Sequence, residues 1–280
     1  MAVQLIIDAG CDLNLSQAQT LGVKLIPMTI RFDDEEFRSG VDITTEMFYE
    51  RLKSAKDLPT TSQPTPYDFE QAYKEVIEAG DEAVVLCISS SLSGTYQSAI
   101  IAAADYTGSI HIVDTKAVSV GQKILLDYAL SLRNHGATAK DIAEAIEKKK
   151  SDLCIFGVVD SLEYLIKGGR LSKAAGTVGS MLGIRPVLHL SNGALEVIGK
   201  ARGPKAAVTM THNFINEIGV NFSMPSGLGY TGNDATVLDP FLQVQNCQWD
   251  KAQAAIYNVG STVGTHTGPG LFMVAFFRKS

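Results

Sequence analysis

Short apolar runs separated by helix-like segments recur along the first half of this 280-residue chain, and that alternation restricts the fold more than any other feature. Runs at 3–7, 25–30, 83–88, 110–113 and 153–159 have the length and apolar continuity of buried strands. The clearest helix signal follows Thr65, which serves as N-cap, with Pro66 at the first helical position and Asp68 in the first turn. Phe69, Tyr73, Val76 and Ile77 then share one face, and Gly80 ends the segment. Segments 120–135 and 138–149 read as two further helices, the second closing on three lysines that suit the negative end of a helix dipole. Strands alternating with helices predict a parallel sheet covered on both faces.

The pattern changes after about residue 157. Residues 161–167 read as a short helix stopped by Gly168 and Gly169, and 184–202 as two β-rich runs around Ser191-Asn192-Gly193, a hairpin signal. A helix at 205–218 and strands at 228–231, 255–259 and 271–277 complete the chain. The length favours two domains, at roughly 100–200 residues each. The expectation is an α/β protein with a Rossmann-like parallel-sheet domain at 1–157 and an α+β domain with a largely antiparallel sheet at 158–280, closely packed because no long linker intervenes.

Hydrophobic residues make up 45% and charged residues 19%, the balance of a globular protein, and the formal net charge of −6 argues against nucleic acid or an anionic membrane surface as partner. No window holds the roughly 20 apolar residues of a membrane helix, and the first residues lack the length and basic flank of a signal peptide. The chain therefore reads as cytoplasmic, with no stable membrane insertion. Cys11, Cys87, Cys154 and Cys247 stand far apart without metal-ligand spacing and read as reduced thiols. A P-loop, a Mg²⁺-binding carboxylate motif and a dinucleotide fingerprint are all missing, so no cofactor is expected and the chain should not turn over ATP alone.

Four stretches gather small, polar and glycine residues where strand patterns end: 8–12, "TTSQP" at 60–64, "SSSLSGTYQSA" at 89–99 and "GSTVGTHTGPG" at 260–270. Ligands of open α/β sheets sit outside the carboxyl ends of strands, which places the first three at one edge of the first domain. Serine hydroxyls beside the N–H groups of a helix starting near Ser93-Gly94-Thr95 would make an anion site; the plainer alternative is Ser91 or Ser93 as an N-cap. Thr60, Thr61 and Ser62, held between Pro59 and Pro64, add further hydroxyls. Neither stretch carries lysine or arginine, so the anion that fits is a carboxylate held by neutral donors rather than a phosphate.

His266 stands in a glycine-rich loop, 264–270, either as a donor to that carboxylate that titrates near neutrality or as a turn histidine satisfied by backbone. Asp8 reads as a cap or anchor for neighbouring N–H groups, with an acid-pair or thiol enzyme built on Asp8, Asp12 and Cys11 as the competing reading. Arg170, in "GGRLS", belongs to a helix C-cap turn or braces the nearby site. Lys200, Arg202 and Lys205 form either a solvated face or a docking patch for an acidic partner.

In order and spacing, an aspartate-containing first turn, "PTTSQP", "SSLSGTYQSA", "GGRLS" and "GTHTGPG" resemble the DegV family, bacterial fatty-acid-binding proteins that serve as the lipid-carrying subunit of fatty acid kinase. The likeness spans essentially the whole chain. It departs at Ala9-Gly10, where members commonly carry serine after the first aspartate, so the first turn is left out of the ligand set. The resemblance implies a long-chain fatty acid between two domains, its tail in an apolar tunnel. Thr61 and Ser93 become the direct carboxylate donors, Ser62 and His266 complete the network, Gly94 and Thr265 lie in the same motifs, and Arg170 supports them. The implied role is non-catalytic: presenting the fatty acid to a separate ATP-dependent fatty acid kinase, with Lys200 and Arg202 as the docking residues, and then holding the acyl phosphate. Two alternatives remain, a serine-dependent acyl hydrolase using Ser93, His266 and an aspartate, although no GxSxG elbow is present, and a lipid sensor or storage protein without a kinase.

Overall fold

A computed structural model describes residues 2–106, 108–172, 183–244, 249 and 255–279. The chain starts with β1 (Val3–Asp8), α1 (Leu15–Thr20) and β2 (Val23–Ile26), then β3 (Thr29–Phe32), β4 (Glu35–Arg38), α2 (Thr45–Ser54) and β5 (Thr60–Ser62). It continues through α3 (Pro66–Glu78), β6 (Glu82–Cys87), α4 (Thr95–Ala102), β7 (Ile110–Asp114), α5 (Val120–Asn134) and α6 (Ala139–Lys149). The second half comprises β8 (Leu153–Val158), α7 (Glu163–Lys167), β9 (Ile184–Ser191), β10 (Ala194–Arg202), α8 (Pro204–Ile218), β11 (Gly227–Tyr230), α9 (Asp239–Leu242), β12 (Ala255–Asn258), α10 (Ser261–Thr267) and β13 (Phe272–Phe277).

A parallel sheet in the order β2-β1-β6-β7 forms from the expected buried runs, with Leu5 opposite Val23 on one side and Val84 on the other. Helix α3 is built as its sequence dictates: Thr65 and Asp68 form a reciprocal capping box, and Phe69, Tyr73 and Val76 pack against the sheet. Ile77, expected on the same face, lies exposed at its margin. Helix α5 covers the opposite face of the parallel sheet, and its residues share one continuous core with Ile155, Leu188 and Met273 of the second sheet. That second sheet runs β10-β9-β8-β13-β11-β12 and is antiparallel except for the β11–β12 pair. The Asn192-Gly193 turn of its β9–β10 hairpin has φ of 47° and 82°, the left-handed backbone a two-residue hairpin turn needs. Helix α8 packs on the outer face. The α/β architecture with one parallel and one largely antiparallel sheet is thus the expected one.

Three details differ from the sequence reading. The run at 25–30 is two strands, because Pro27 has no N–H to offer a ladder: β2 ends at Ile26 and β3 begins at Thr29. Strands β4, β3 and β5 form a small third sheet, closed by the Asp33-Asp34 turn and covered by Phe48, Tyr49 and Leu52 of α2. Strand β8, read as part of the parallel unit, pairs antiparallel with β13 and β9 and so belongs to the second sheet, which therefore begins before residue 157. Cys11, Cys87 and Cys154 are buried free thiols, whereas Cys247 lies outside the described residues. No helix among the described residues is long and apolar enough to cross a membrane.

A buried hydroxyl on the helix that covers the small sheet helps tie this unit to the rest of the chain, since Tyr49 Oη donates to Val259 O at 2.9 Å across 210 residues of sequence. Tyr49→Phe removes that donor from a buried carbonyl while keeping the ring in place. The expected cost is about 1–2 kcal/mol, read as a lower urea midpoint; an unchanged midpoint would show that the tether carries no stability.

Candidate functional site

Between the parallel and antiparallel sheets lies a cavity of about 370 Å³. Its wall is mostly apolar, with Ile88 after β6, Val118 before α5, Ile155 on β8, Leu188 and Leu190 on β9 and Met273 on β13. Thr61, Ser62, Gln63, Ser93, Arg170 and His266 supply the polar part of the lining. One volume thus receives residues from the antiparallel sheet, from the small sheet and from the loop after β6.

Thr61 sits at the middle of β5, half-buried opposite Ile30 of β3, between the more exposed Thr60 and Ser62. Its Oγ1 lies 2.7 Å from His266 Nε2, joining residues 205 apart in sequence. The segment read as a flexible loop around His266 is the helix α10, with only the turn after Thr267 outside it. Gly264 is there for packing: a Cβ at that position would lie 2.6 Å from Tyr49 Oη and 2.7 Å from Phe48 Cε1. The helix consequently sits flush against α2 and fixes the direction of His266.

The protonation of His266 follows from its surroundings. Nδ1 is buried without a hydrogen-bond partner, and a Cβ on Gly168 would lie 2.3 Å from it. A buried N–H without an acceptor costs more than a buried lone pair, so the network assigns the proton to Nε2, which donates to Thr61 Oγ1. The hydroxyl proton of Thr61 is then free to point into the cavity. Burial, reinforced by the Arg170 guanidinium, lowers the pKa of His266 to about 4. The expectation of a histidine titrating near neutrality is corrected accordingly: in the free protein the ring is neutral at pH 7.

Ser93 lies in the turn before α4, where its Oγ is 2.8 Å from Thr95 Oγ1 and accepts from Thr95 N at 3.3 Å. Helix α4 has Gly94 at its N-cap position and no side-chain bond from that residue, and Gln63 lies directly over Gly94 while donating from Nε2 to Ser98 Oγ at 3.0 Å. Arg170 spans the gap between two loops, with Nε donating to Leu92 O at 3.0 Å and Nη1 to Gly168 O at 2.7 Å. The same Gly168 therefore touches both Arg170 and His266.

The structure brings Thr61, Ser62, Ser93, Arg170 and His266 to one cavity, with Gly94 outside its lining. Thr265 is outside the lining, because its hydroxyl turns back to donate to Ser261 O at 2.8 Å within α10. Thr262 and Thr267, not singled out in the sequence, take lining positions; helical rotation separates them from Thr265, which would have been visible had 261–267 been read as a helix. Lys200 and Arg202 are exposed on the edge strand β10, apart from the cavity lining. Asp8 is the anchor expected of it: Oδ1 accepts from Gly10 N at 2.8 Å and Oδ2 from Ile88 N at 2.7 Å, with burial pushing the carboxyl up to about 6. Burial also drives the Cys11 thiol far up, which opposes a thiolate nucleophile. A Ser-His-Asp relay is not assembled either: Ser93 bonds Thr95, the Nε2 of His266 bonds Thr61, and its Nδ1 has no partner.

Comparison with known proteins agrees with this architecture. The family model described as "Uncharacterised protein, DegV family" matches residues 2–279. A fatty acid-binding protein of Thermotoga maritima is 30% identical over 276 residues, covering 96% of each chain. The solved structure of a fatty-acid-binding DegV family protein from Thermus thermophilus superposes with a TM-score of 0.87 at 29% identity, over 99% of this chain and 100% of that one. The B3 protein of fatty acid kinase from Streptococcus pneumoniae, loaded with linoleic acid, has the same fold, with a TM-score of 0.84 at 22% identity and full coverage of both chains, 100% and 100%.

Gly168→Ala tests how the imidazole is held. The added methyl would stand 2.3 Å from His266 Nδ1 and 3.0 Å from Tyr164 O, so the ring must leave its place and become more solvated. The expected result is a His266 pKa that moves from about 4 toward the ordinary 6.5, read by NMR titration; a titration identical to wild type would show that Gly168 does not set the ring position.

Proposed function

Since the chain belongs to the DegV family, we propose that it binds a long-chain fatty acid, with the carboxylate at Thr61 and Ser93 and the tail in the cavity between the sheets. The observation that carries this reading is the Thr61–His266 pair, 2.7 Å apart, at the polar side of a mostly apolar volume of about 370 Å³. Hydroxyls whose protons are free to turn toward a ligand suit a carboxylate, and bonds to a charged acceptor are the stronger kind. Ser62 and Arg170 complete the polar surround. The tail supplies affinity: at about 0.8 kcal/mol per buried methylene, roughly fourteen methylenes offer around 11 kcal/mol before association and ordering costs. The head group supplies orientation, because a buried carboxylate left without donors would be prohibitive.

The same reading makes the chain a non-catalytic, cytoplasmic carrier that presents the carboxylate to a separate ATP-dependent kinase and then holds the acyl phosphate. Support for the carrier role comes from a serine and a histidine that are engaged with different partners rather than with each other. Lys200 and Arg202, exposed on an edge strand, are the proposed kinase contact. Reversing both charges should leave fatty-acid binding intact and lower kinase turnover; loss of lipid binding would remove them from that role.

Native and denaturing mass spectrometry of protein purified without added lipid is the direct test. A mass retained under native conditions and released as a fatty acid on denaturation is expected, whereas a clean apo mass that takes up no added fatty acid would defeat the reading. Thr61→Ala and Ser93→Ala should each weaken retention by about 1–3 kcal/mol, the worth of a hydrogen bond to a charged group.

Proton linkage offers an independent check. In the free protein His266 is neutral above about pH 4, and a carboxylate placed beside it raises that pKa. Binding near pH 6 should therefore take up part of a proton, and affinity should rise as the pH falls from 8 toward 6. Calorimetry in buffers of different ionisation enthalpy reads the uptake, which His266→Asn should abolish; uptake that persists in that variant would place the linked group elsewhere.

A further inference from the structure

We propose that Asp12 is a positioning residue of the carboxylate site, holding the helix that carries His266 through the backbone N–H of Gly260. This inference rests on the fatty-acid reading above. Asp12 Oδ1 accepts from Gly260 N at 2.9 Å, and Oδ2 accepts from the hydroxyl of Ser119. Gly260 is the N-cap residue of α10 and Ser119 that of α5, so a single carboxylate ties the first turn after β1 to the starts of two helices.

Backbone conformation singles out the same pair of residues. Asp12 and Ser119 have φ of 64° and 55°, left-handed values that side chains other than glycine adopt at a cost. Both meet at one side-chain hydrogen bond. Ser119 is fixed further by its own N–H, which donates to Gly10 O at 2.7 Å. The local chain is thus bent to present a carboxylate to the foot of α10, and hydrophobic packing of the turn alone does not require that.

Asp12 lies outside the lining of the fatty-acid cavity, so any influence on the ligand passes through α10. Six residues separate Gly260 from His266, about 9 Å of helix at 1.5 Å per residue. Over such an arm, a tilt at Gly260 becomes a comparable displacement of the imidazole. Ser39 steadies the same end, its Oγ lying 2.8 Å from both Ser261 Oγ and Thr262 Oγ1, and Tyr49 holds Val259 O. These contacts come from the loop after β4 and from α2, next to the small sheet. Asp12 connects the helix to the parallel sheet, whose loops also carry Ser93. The two halves of the carboxylate site, Ser93 on one side and His266 on the other, are therefore kept in register by Asp12.

The test separates head-group alignment from general loosening by comparing two ligands with one tail, palmitate and 1-hexadecanol. Retention is measured in wild type, Asp12→Ala and Asp12→Asn, with thermal unfolding recorded for each. Asp12→Ala should weaken palmitate roughly tenfold, the effect of losing one effective hydrogen bond at the head group, and change hexadecanol by less than about twofold. Asp12→Asn keeps an oxygen for Gly260 N and should restore most of the palmitate retention. Where Asp12→Ala does not fold, Ser119→Ala carries the same comparison, since it removes the hydroxyl that donates to Asp12 Oδ2 and leaves the carboxylate free to turn from Gly260 N. Equal losses of acid and alcohol, or no loss of either, in a folded variant overturn the positioning role. Wild-type protein that retains neither ligand refutes the fatty-acid reading itself, a distinct outcome.

Discussion

Helix α5 is shared between two sheets, and the rest of the molecule is arranged around that fact. Its buried side chains complete the core of the parallel sheet on one side and meet β8 and β13 on the other. A helix apolar over so much of its circumference has no solvent face to spare, so neither sheet can pack without it. Before its first turn the filling stops: Val118, just ahead of the helix, lines the cavity together with Ile155 and Met273 of the second sheet. The ligand volume is the space between two sheets that the helix does not occupy.

Around that volume the ionisable groups have been pushed toward neutrality. Burial lowers His266 to about 4 and raises Asp8 to about 6 and Asp12 to about 7. All three shifts have the same leading cause, the loss of water around the charged form, and Arg170 adds to that of His266. Among the described lining residues Arg170 alone keeps a fixed charge, and it is engaged with two backbone carbonyls. A site of this kind discriminates by hydrogen-bond geometry more than by net charge. Under the carboxylate reading proposed above, these hydroxyls would turn their protons toward the anion, so little would have to be rebuilt on binding. This is electrostatic preorganisation with neutral groups, and it explains why lysine is not needed in either serine- or threonine-rich stretch.

Legibility in the sequence followed the range of the interaction concerned. Local signals were sufficient for α3, where Thr65, Pro66 and Asp68 mark the start within four residues, and for the hairpin at Asn192-Gly193. Strand β8 looked like its predecessors, because a strand buried on both faces carries the same apolar run in a parallel or an antiparallel sheet. Its true partners, β13 and β9, lie far away in sequence or across a change in topology. Residues 261–267 were misread for a similar reason: a glycine and four hydroxyl residues in seven positions argue for a loop unless Tyr49 and Phe48 are known to press against Gly264. In the site, the motifs pointed to Thr61, Ser93 and His266, but the tautomer and the lowered pKa came from Gly168 and Arg170, which only tertiary structure places beside the ring.

The motif segments share a property that sequence inspection takes for flexibility and the fold uses for contact. Gly168 lets the α7 turn close on the imidazole, and Gly264 lets α10 close on α2. Each allows a backbone to approach a side chain closely. His266 Nε2 is set by Thr61, its Nδ1 face by Gly168, and the axis of its helix by Gly264 and the contacts at Gly260. These constraints hold the ring from several directions, and the Thr61 oxygen that accepts from it is held in place with it. Apolar walls cannot supply that direction, since they hold a methylene chain equally well in many registers. A fixed donor at one side is what turns an apolar cavity into a site that orients an acid.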